Sequence, residues 1–186
     1  MKKLLLVLLL SFQFMNAQDS TKVRKNEVRF DVLSLITSSK FNVSYERYLN
    51  KNYSVGVTTG FANSTKINSD FDNGFRNNIQ KYEVIPFVRY NLSKGISSFY
   101  FAEVFANANG GDFKEIVRLT ENNIDYYSTQ KSKYSDVAIG ASLGYKMYFK
   151  QKIALEFVVG FGRNLINTDK SPDYIQRIGL NLGYRF

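Results

Sequence analysis

Residues 136–147 read DVAIGASLGYKM, and bulky apolar residues occupy most alternate places in this stretch. Val137, Ile139 and Leu143 lie on one face of an extended chain, because the side chains of a β-strand alternate between its two faces. The places between them hold an acidic residue, several small residues and, at Lys146, a cation. The stretch therefore predicts a β-strand with one apolar face and one small or charged face.

Alternation of this kind recurs along the chain from Glu27 onward, and no window keeps the spacing of an amphipathic helix for more than one turn. The pattern predicts an all-β chain of eight strands. Most are long enough to cross a bilayer, for which a tilted strand needs about 9 to 11 residues. We expect the strands near residues 27–36, 41–46, 53–61, 82–91, 97–108, 136–147, 153–162 and 174–186.

The connections between these strands alternate in length. Tight turns are expected at residues 50–52, 93–95 and 150–152, and long polar loops at residues 63–78, 109–133 and 163–173. Outer-membrane barrels have short periplasmic turns and longer external loops. The sequence therefore predicts an eight-stranded antiparallel up-and-down transmembrane β-barrel over residues 27–186.

The charged face is expected to point into this barrel. A barrel of eight strands has an interior that side chains can fill, whereas a charge facing lipid near the midplane costs about 2–4 kcal/mol. Opposite charges inside would pair with one another, and the large apolar residues would face hydrocarbon. The residues expected in this lumen ionic network are Glu46, Glu83, Arg89, Glu103, Lys146, Glu156, Arg177 and Arg185.

Aromatic residues are placed as in the girdles at the two membrane interfaces. Those expected at strand ends beside the long loops are Phe41, Phe61, Tyr82, Phe105, Tyr134, Phe161 and Tyr174, and those near the tight turns are Tyr53, Tyr90, Phe149 and Phe186. Together with the strand pattern, the chain resembles the small eight-stranded outer-membrane barrels of Gram-negative bacteria, the OmpX-like and OmpW-like class. Residues 26–35 and 42–49 are also similar to uncharacterised small barrel families.

The end of the chain carries the most specific part of this resemblance. It looks like the carboxyl-terminal signal that the barrel-assembly machinery reads, and the signal residues would be Ile178, Leu180, Leu182, Tyr184 and Phe186. The resemblance implies a porin-like fold in the bacterial outer membrane, a monomer, and the bilayer with its lipopolysaccharide as surroundings. It implies no activity.

The first residues read as an export signal. Lys2 and Lys3 precede a mostly apolar stretch, Leu4 to Met15, and the small residue Ala17 follows it. We expect a signal peptide at residues 1–17, cleaved after Ala17, and a short periplasmic segment at residues 18–26.

Composition argues against catalysis. The chain has no Cys and no His, so it lacks the commonest general base and the commonest transition-metal ligand. The G-x-S-x-G match at residues 140–144 lies within an alternating strand, and the acidic stretch at residues 68–74 fails the spacing of a calcium loop. We expect no catalytic residue, cofactor or metal. The net charge of +9 is spread along the chain and does not indicate nucleic acid.

Residues 109–133 form the most informative of the long loops. Apolar residues on both sides of residues 121–123 suggest a hairpin that continues strands five and six beyond the membrane. The edges of such a hairpin are able to pair with an external protein partner. Its cations, Lys114, Arg118, Lys131 and Lys133, are candidates for contact with lipopolysaccharide phosphates.

The sequence favours a noncatalytic envelope protein, structural or adhesive, that acts through its long external loops. One alternative is a narrow conduit for small hydrophobic molecules, as in OmpW-like barrels, and another is an enzyme that modifies envelope lipids.

Two places fit the barrel poorly. Pro86 predicts a bulge or local break in its strand, and residues 33–36 predict a bulge or an early exit from the membrane.

Overall fold

The computed structural model describes residues 24–93, 95, 97–121 and 124–186. They form a closed barrel in which each strand is antiparallel to its sequence neighbour and the first strand pairs with the last. The strands are β1 (Asn26–Asp31), β2 (Lys40–Tyr48), β3 (Tyr53–Ala62), β4 (Asn78–Asn91), β5 (Ser98–Glu121), β6 (Ile124–Phe149), β7 (Ile153–Asn164) and β8 (Tyr174–Arg185). The predicted fold class, an eight-stranded antiparallel up-and-down barrel, is confirmed. The expected signal peptide, residues 1–17, lies outside the described residues.

Tight turns join β2 to β3 and β6 to β7 at one end of the barrel, as predicted, whereas the turn predicted at residues 93–95 includes Lys94, which lies outside the described residues. Between β6 and β7, Lys150 and Gln151 have positive φ angles of 51° and 54°, and the N–H of Lys152 donates to the carbonyl of Phe149 at 3.1 Å. Two successive residues with positive φ are characteristic of the type I′ turn, whose twist matches that of paired strands.

Two helices lie in the connections at the other end, α1 (Val32–Ser38) and α2 (Thr65–Asp72). The prediction of a strand as far as residue 36 is therefore wrong beyond Asp31. The carboxylate of Asp31 caps α1 by accepting from the Ser34 N–H at 3.2 Å and from its hydroxyl at 2.6 Å, and Ser39 ends α1 in the left-handed conformation. Neither described helix is long and apolar enough to cross a membrane.

The region predicted as a long loop, residues 109–133, belongs to a hairpin formed by β5 and β6. The prediction that a hairpin continues these two strands is confirmed. The two strands stay paired from Ser98 and Met147 to Glu121 and Ile124. The register is constant, so the hairpin is one continuous ribbon rather than two strands and a loop. Its pairing with β4 ends at Asn78 and Phe113, and the ribbon extends beyond this point.

Pro86 interrupts the pairing of β4 with β5 without shifting the register between these two strands. No residue of β5 pairs with Ile85 or Pro86, yet Val84 pairs with Ala108 and Phe87 with Phe105, so the register is the same on both sides. The predicted local break is present, and a bulge at Pro86 is absent. The register shift of this ladder lies between Gln80 and Tyr82 instead.

The faces of the strands have the predicted orientation. Leu143 and Val104 on the outer surface are 63% and 62% exposed, whereas Arg89 and Lys146 inside are 1% and 0% exposed. The outer surface is therefore apolar and the interior is charged.

The expectation that all large apolar residues face outward is wrong for part of β4 and β5. Phe87, Phe101 and Phe105 are almost completely buried inside the barrel. Each phenyl ring lies directly opposite a glycine of the neighbouring strand, in the pairs Gly56–Phe87, Phe101–Gly144 and Phe105–Gly140. A ring fits in this narrow interior because its cross-strand neighbour has no side chain. Tyr134 is buried inside too. The prediction that Phe105 and Tyr134 lie in an interfacial girdle is therefore wrong.

Substituting Gly144 tests this arrangement. A Cβ atom there would lie 2.6 Å from the carbonyl oxygen of Phe157 and closer still to the Phe101 ring. We expect Gly144→Ala to lower the free energy of unfolding by about 1–3 kcal/mol through overpacking. Urea titration of the refolded barrel measures the change. Adding Phe101→Leu should restore part of the loss, and a double variant as unstable as the sum of the two single ones contradicts this packing.

Candidate functional site

Charged side chains fill the middle of the barrel. We call this group the ion cluster, and it contains Glu27, Arg29, Glu46, Arg89, Glu103, Lys146, Glu156 and Arg177. Seven of the eight are at most 2% exposed. Four carboxylates face four cations, so the cluster is electrically neutral. Neutrality and mutual hydrogen bonding are the conditions under which charges persist in a low-dielectric interior.

Arg89 connects three of the carboxylates. Its Nε donates to Glu103 at 2.5 Å, its Nη1 to Glu46 at 3.0 Å, and its two Nη atoms to both oxygens of Glu156 at 2.6 and 3.0 Å. The guanidinium also lies over the rings of Phe87 and Phe101, 4.6 and 4.2 Å from their centroids. Bidentate pairing and stacking both depend on the planar shape of arginine.

Lys146 and Arg29 occupy the side of the cluster nearer the tight turns. The Lys146 ammonium lies 2.9 Å from Glu27, 2.8 Å from Glu46 and 3.0 Å from Glu156. Arg29 donates to Glu27 at 2.7 Å and also pairs with Glu46. Lys146 and Arg89 also contact these carboxylates, so Arg29 is not their only cationic partner.

Two tyrosines lie beside the cluster on the same side. The hydroxyls of Tyr48 and Tyr148 are 2.6 Å apart, and Tyr148 donates to Glu27 at 2.5 Å. Arg185 stacks over both rings, 4.4 and 4.9 Å from their centroids. Side chains thus occupy the lumen from the ion cluster to the tight-turn end.

The structure brings most of the sequence-predicted charges together. Glu46, Arg89, Glu103, Lys146, Glu156 and Arg177 belong to the ion cluster. Glu83 lies nearer the long connections and pairs with Lys40 at 2.7 Å. Arg185 lies at the tight-turn end.

Sequence reasoning missed Glu27 and Arg29, although a signal was present. Residues 27–31 alternate strictly between charged and apolar, and Glu27, Arg29 and Asp31 are all buried inside. Reading β1 by the same alternation that located the other charges would have found them.

The ion cluster also contains three carboxylates with the spacing of a metal site. Oxygens of Glu27, Glu46 and Glu156 lie within 4.8 Å of one another. Arg29, Arg89 and Lys146 already contact these oxygens, so side-chain cations occupy the space that a metal ion would take. The arrangement suits a structural ion network rather than metal binding.

Ser142, the centre of the G-x-S-x-G match, lies in the straight part of β6, where its hydroxyl donates to Glu103 at 3.3 Å. A nucleophile elbow requires a sharp strand-to-helix turn, which this strand does not make.

The ribbon beyond the barrel is the second notable feature. We call residues 114–121 and 124–133 the outer hairpin. Helix α2 supports its base, since Lys131 pairs with Asp72 at 2.5 Å and Lys114 donates to the Asp72 carbonyl at 3.0 Å. The hydrogen bond from Lys131 lowers the pKa of the Asp72 carboxyl below its ordinary value. Both lysines also lie over the ring of Phe71, which is 2% exposed.

Three of the four cations expected to meet phosphate therefore have partners within the protein. Lys114 and Lys131 bind α2, and Arg118 pairs with Asp125 across the outer hairpin. Lys133 is exposed and makes no ion pair with the described residues.

The residues of the expected assembly signal share the outer face of β8. Their exposed fractions range from 38% at Leu180 to 50% at Leu182. Phe186 and Asn26 exchange backbone hydrogen bonds of 2.8 and 3.0 Å, which close the barrel between its first and last strands.

The family described as "Protein of unknown function (DUF3575)" matches residues 3–182 of the chain. No curated protein matches the chain. Among solved structures, the N-terminal β-barrel domain of OprF from Pseudomonas aeruginosa is 12% identical, covers 87% of this chain and 96% of its own, and superposes with a TM-score of 0.51.

Two further structures are similar at lower TM-scores. Ail, the attachment invasion locus protein of Yersinia pestis, is 9% identical over 89% of this chain and 100% of its own, with a TM-score of 0.48. Neisserial surface protein A is 10% identical over 87% of this chain and 93% of its own, with a TM-score of 0.47. The OprF domain shows the shared fold, an eight-stranded barrel of the outer-membrane type.

Proposed function

We propose that this chain, which belongs to the DUF3575 family, is a noncatalytic β-barrel of the bacterial outer membrane that acts through its outer hairpin as an adhesive or structural envelope protein. The observation that carries the proposal is a two-stranded ribbon that extends beyond the closed barrel and has, among the described residues, no strand neighbour at either edge.

Location in a membrane is supported by the outer surface. Closure of the barrel pairs the strand edges, which hydrocarbon requires, and Leu143, Val104 and Phe157 expose apolar side chains around it. We also propose that residues 1–17 are an export signal and that residues 18–26, the last of which begins β1, are a short periplasmic segment. The amino terminus of the mature protein, read by mass spectrometry from an outer-membrane fraction, should be Gln18.

Phe186 provides a test of insertion. We infer that the barrel-assembly machinery reads the outer face of β8, which ends with this exposed ring. Deleting Phe186 should lower the amount of folded protein in the outer membrane several-fold, because both the signal and the Asn26 hydrogen bonds are lost. Phe186→Tyr, which keeps the aromatic ring and the backbone, is the matched control. Equal amounts of the deletion and the control contradict the role of the terminal residue.

The free edges of the outer hairpin follow from the direction of its backbone groups. The carbonyl of Val137 accepts from Leu165, so the odd-numbered residues of β6 face away from β5. Beyond Ala138 no strand in the described part of the chain pairs with this edge. The N–H and C=O groups of Thr129 and Tyr127 are therefore available to a partner that adds a strand.

Thr129→Pro should abolish such pairing while sparing the hairpin, since proline removes an N–H from the free edge only. The control is Thr129→Val, which keeps the N–H. A phage library of linear 12-residue peptides, panned on the intact protein in lipid nanodiscs, should enrich alternating β-like sequences. Their binding should fall at least tenfold with Thr129→Pro and stay unchanged with Thr129→Val. No enrichment, or equal losses in both variants, contradicts adhesion through this edge.

A shortened hairpin separates the structural reading from the adhesive one. Replacing residues 115–130 by Asn-Gly should leave a folded barrel, because the ion cluster and the barrel ladders remain. If the protein is adhesive, this variant loses peptide binding but keeps the detergent resistance of cells that produce it. If the protein has a structural role that depends on the outer hairpin, the shortened variant lowers detergent resistance as much as deletion of the whole protein does.

The filled lumen supports a closed barrel over a conduit. The ion cluster and the tyrosine pair occupy the cross-section with side chains that bind one another. The absence of a histidine and the straight course of β6 at Ser142 give no support to an enzyme. We further propose that Lys133 meets phosphates of lipopolysaccharide, because it is exposed at the base of the outer hairpin and has no ion-pair partner among the described residues.

A further inference from the structure

The wall of the barrel has a gap beside α1. The ladder of β1 ends at the pair Asp31–Asn181 on one side and at Phe30–Val43 on the other. β8 and β2 continue past these points, to Tyr174 and Lys40, and no strand lies between their ends. Helix α1 occupies this place, and among the described residues no backbone hydrogen bond joins it to either strand.

One buried carboxylate holds the parts of the gap together. Besides capping α1, Asp31 accepts from the Asn42 amide of β2 at 3.4 Å and from the backbone N–H of Leu180 in β8 at 3.3 Å. Asp31 is 6% exposed. Helix α1 is thus attached to the wall through a side chain and not through a ladder.

The strand edges at the gap present polar groups. Phe186 and Leu180 direct their N–H groups toward β1, so the even-numbered residues of β8 do so throughout, including Gln176 and Ile178. Above Asp31 these two residues have no strand partner on that side.

A cavity of about 50 Å³ lies behind the gap. It is lined by inward residues of β8, such as Arg177 and Gly179, and also by Gln176 and Ile178, which point outward. The cavity adjoins the gap, because Ser34 of α1 and the part of β8 beyond the β1 ladder both line it. A water molecule needs roughly 10–15 Å³ by the same measure, so the cavity holds about three to five non-hydrogen atoms.

Two hydrogen-bond acceptors in the cavity lining have no partner within the part of the chain that the structure describes. The amide nitrogen of Asn42 donates to Asp31, and that of Asn107 donates to Glu83 at 3.3 Å, which fixes both amides with their oxygens free. Asn42 is 7% exposed and Asn107 is 0% exposed. A buried acceptor without a partner is costly, so the cavity favours a ligand that donates hydrogen bonds.

We propose that this cavity binds the small hydroxyl-bearing head of a single-chain amphiphile, a 1-monoacylglycerol or long-chain alcohol, which enters from the outer leaflet beside α1. The acyl chain lies outside along Ile36 and Ile178, which are 76% and 45% exposed. The size of the cavity excludes phospholipid and lipid A heads. Its free amide oxygens favour a hydrogen-bond donor over a carboxylate, since the cations of the lining, Lys40 and Arg177, are already paired with Glu83 and Glu103. The proposal rests on the membrane location proposed above but not on the outer hairpin.

Photolabelling of the full mature chain in phosphatidylcholine nanodiscs tests the proposal. The probe is 1-monooleoylglycerol with a diazirine in its acyl chain, and labelled peptides are identified by mass spectrometry. Labelling should concentrate on α1 and the upper part of β8 and should saturate. Unlabelled 1-monooleoylglycerol should compete at least tenfold better than oleate at pH 8. Uniform labelling without saturation, or equal competition by oleate, overturns the proposal.

Variants separate the site from the lipid-facing surface in general. Asn107→Leu and Asn42→Leu each remove a free acceptor and should lower saturable labelling at least tenfold. Asn91→Leu is the matched control, because the Asn91 oxygen is also buried and free but lies near the tight turns. Heat-modifiable migration in gels verifies that each variant is folded. A chain that does not enter nanodiscs refutes the membrane location, whereas an inserted wild-type chain without saturable labelling refutes only this site.

Discussion

Replacing Arg89 by methionine is expected to lower the free energy of unfolding by about 3–5 kcal/mol, the cost of breaking a buried ion network by removing one partner. Arg89 contacts Glu46, Glu103 and Glu156, and the loss would leave the cluster with four carboxylates and three cations. Methionine keeps much of the volume between the two phenyl rings, so the effect reports charge more than a cavity. Urea titration of the barrel in detergent micelles, followed by tyrosine fluorescence, measures it.

The double variant Arg89→Met and Glu156→Gln identifies the origin of the loss. It restores electrical balance, so we expect it to be more stable than the single variant by about 1–3 kcal/mol. Arg118→Met serves as a control, because it breaks an ion pair on the exposed outer hairpin and should not change barrel stability measurably. If the effects of the Arg89 and Glu156 substitutions simply add, these two residues are not coupled as the geometry indicates.

The alternation of residues was sufficient to predict the barrel and the side of each strand that carries charge. It works because a closed sheet assigns every second side chain to one of two very different environments. The stretch with Leu143 outside and Lys146 inside is the clearest case, and the structure has both as predicted.

Alternation does not reveal which apolar residue is tolerated inside. Phe87 and Phe101 have the same period as the charged residues of their strands, and they fit only because Gly56 and Gly144 lie opposite. That information belongs to the register between strands, which one strand's pattern does not contain. The exposed β5–β6 hairpin was predictable because apolar residues lie on both sides of a polar turn at residues 121–123.

The helix α1 was missed because its origin is local hydrogen bonding. Residues 32–38 are too few for a helical period to show, whereas the cap at Asp31 and Ser34 stabilises a turn of helix directly. Asp31 also lies at the point where β1 leaves the wall, so one residue determines both the helix and the gap. Pairing among the lumen charges was likewise beyond reach, because Arg89 selects its partners by the three-dimensional position of four different strands.

The two ends of the lumen differ in a way that bears on function. The tight-turn side is filled by Tyr48, Tyr148 and the ion cluster, whose carboxylates accept from Lys146, Tyr148 and the arginines. The side of the long connections contains the cavity and the free oxygens of Asn42 and Asn107. Any exchange with the surroundings is therefore expected at the outer end, where the outer hairpin and the gap beside α1 also lie.

Introducing a charge on the outer surface tests the orientation on which these arguments depend. Leu143 lies near the middle of the β6–β7 ladder, which runs from Ala138 to Phe149, and is 63% exposed on the apolar surface. In a bilayer, Leu143→Arg should cost about 2–4 kcal/mol, the penalty for arginine near the midplane of a membrane barrel. The matched control is Leu119→Arg, the same substitution on the outer hairpin, where water surrounds an exposed side chain. We expect Leu143→Arg to reduce the folded fraction in phosphatidylcholine vesicles at intermediate urea concentrations and Leu119→Arg to match the wild-type chain. Equal stability of both variants would show that lipid does not surround this face, and the membrane location would then be wrong.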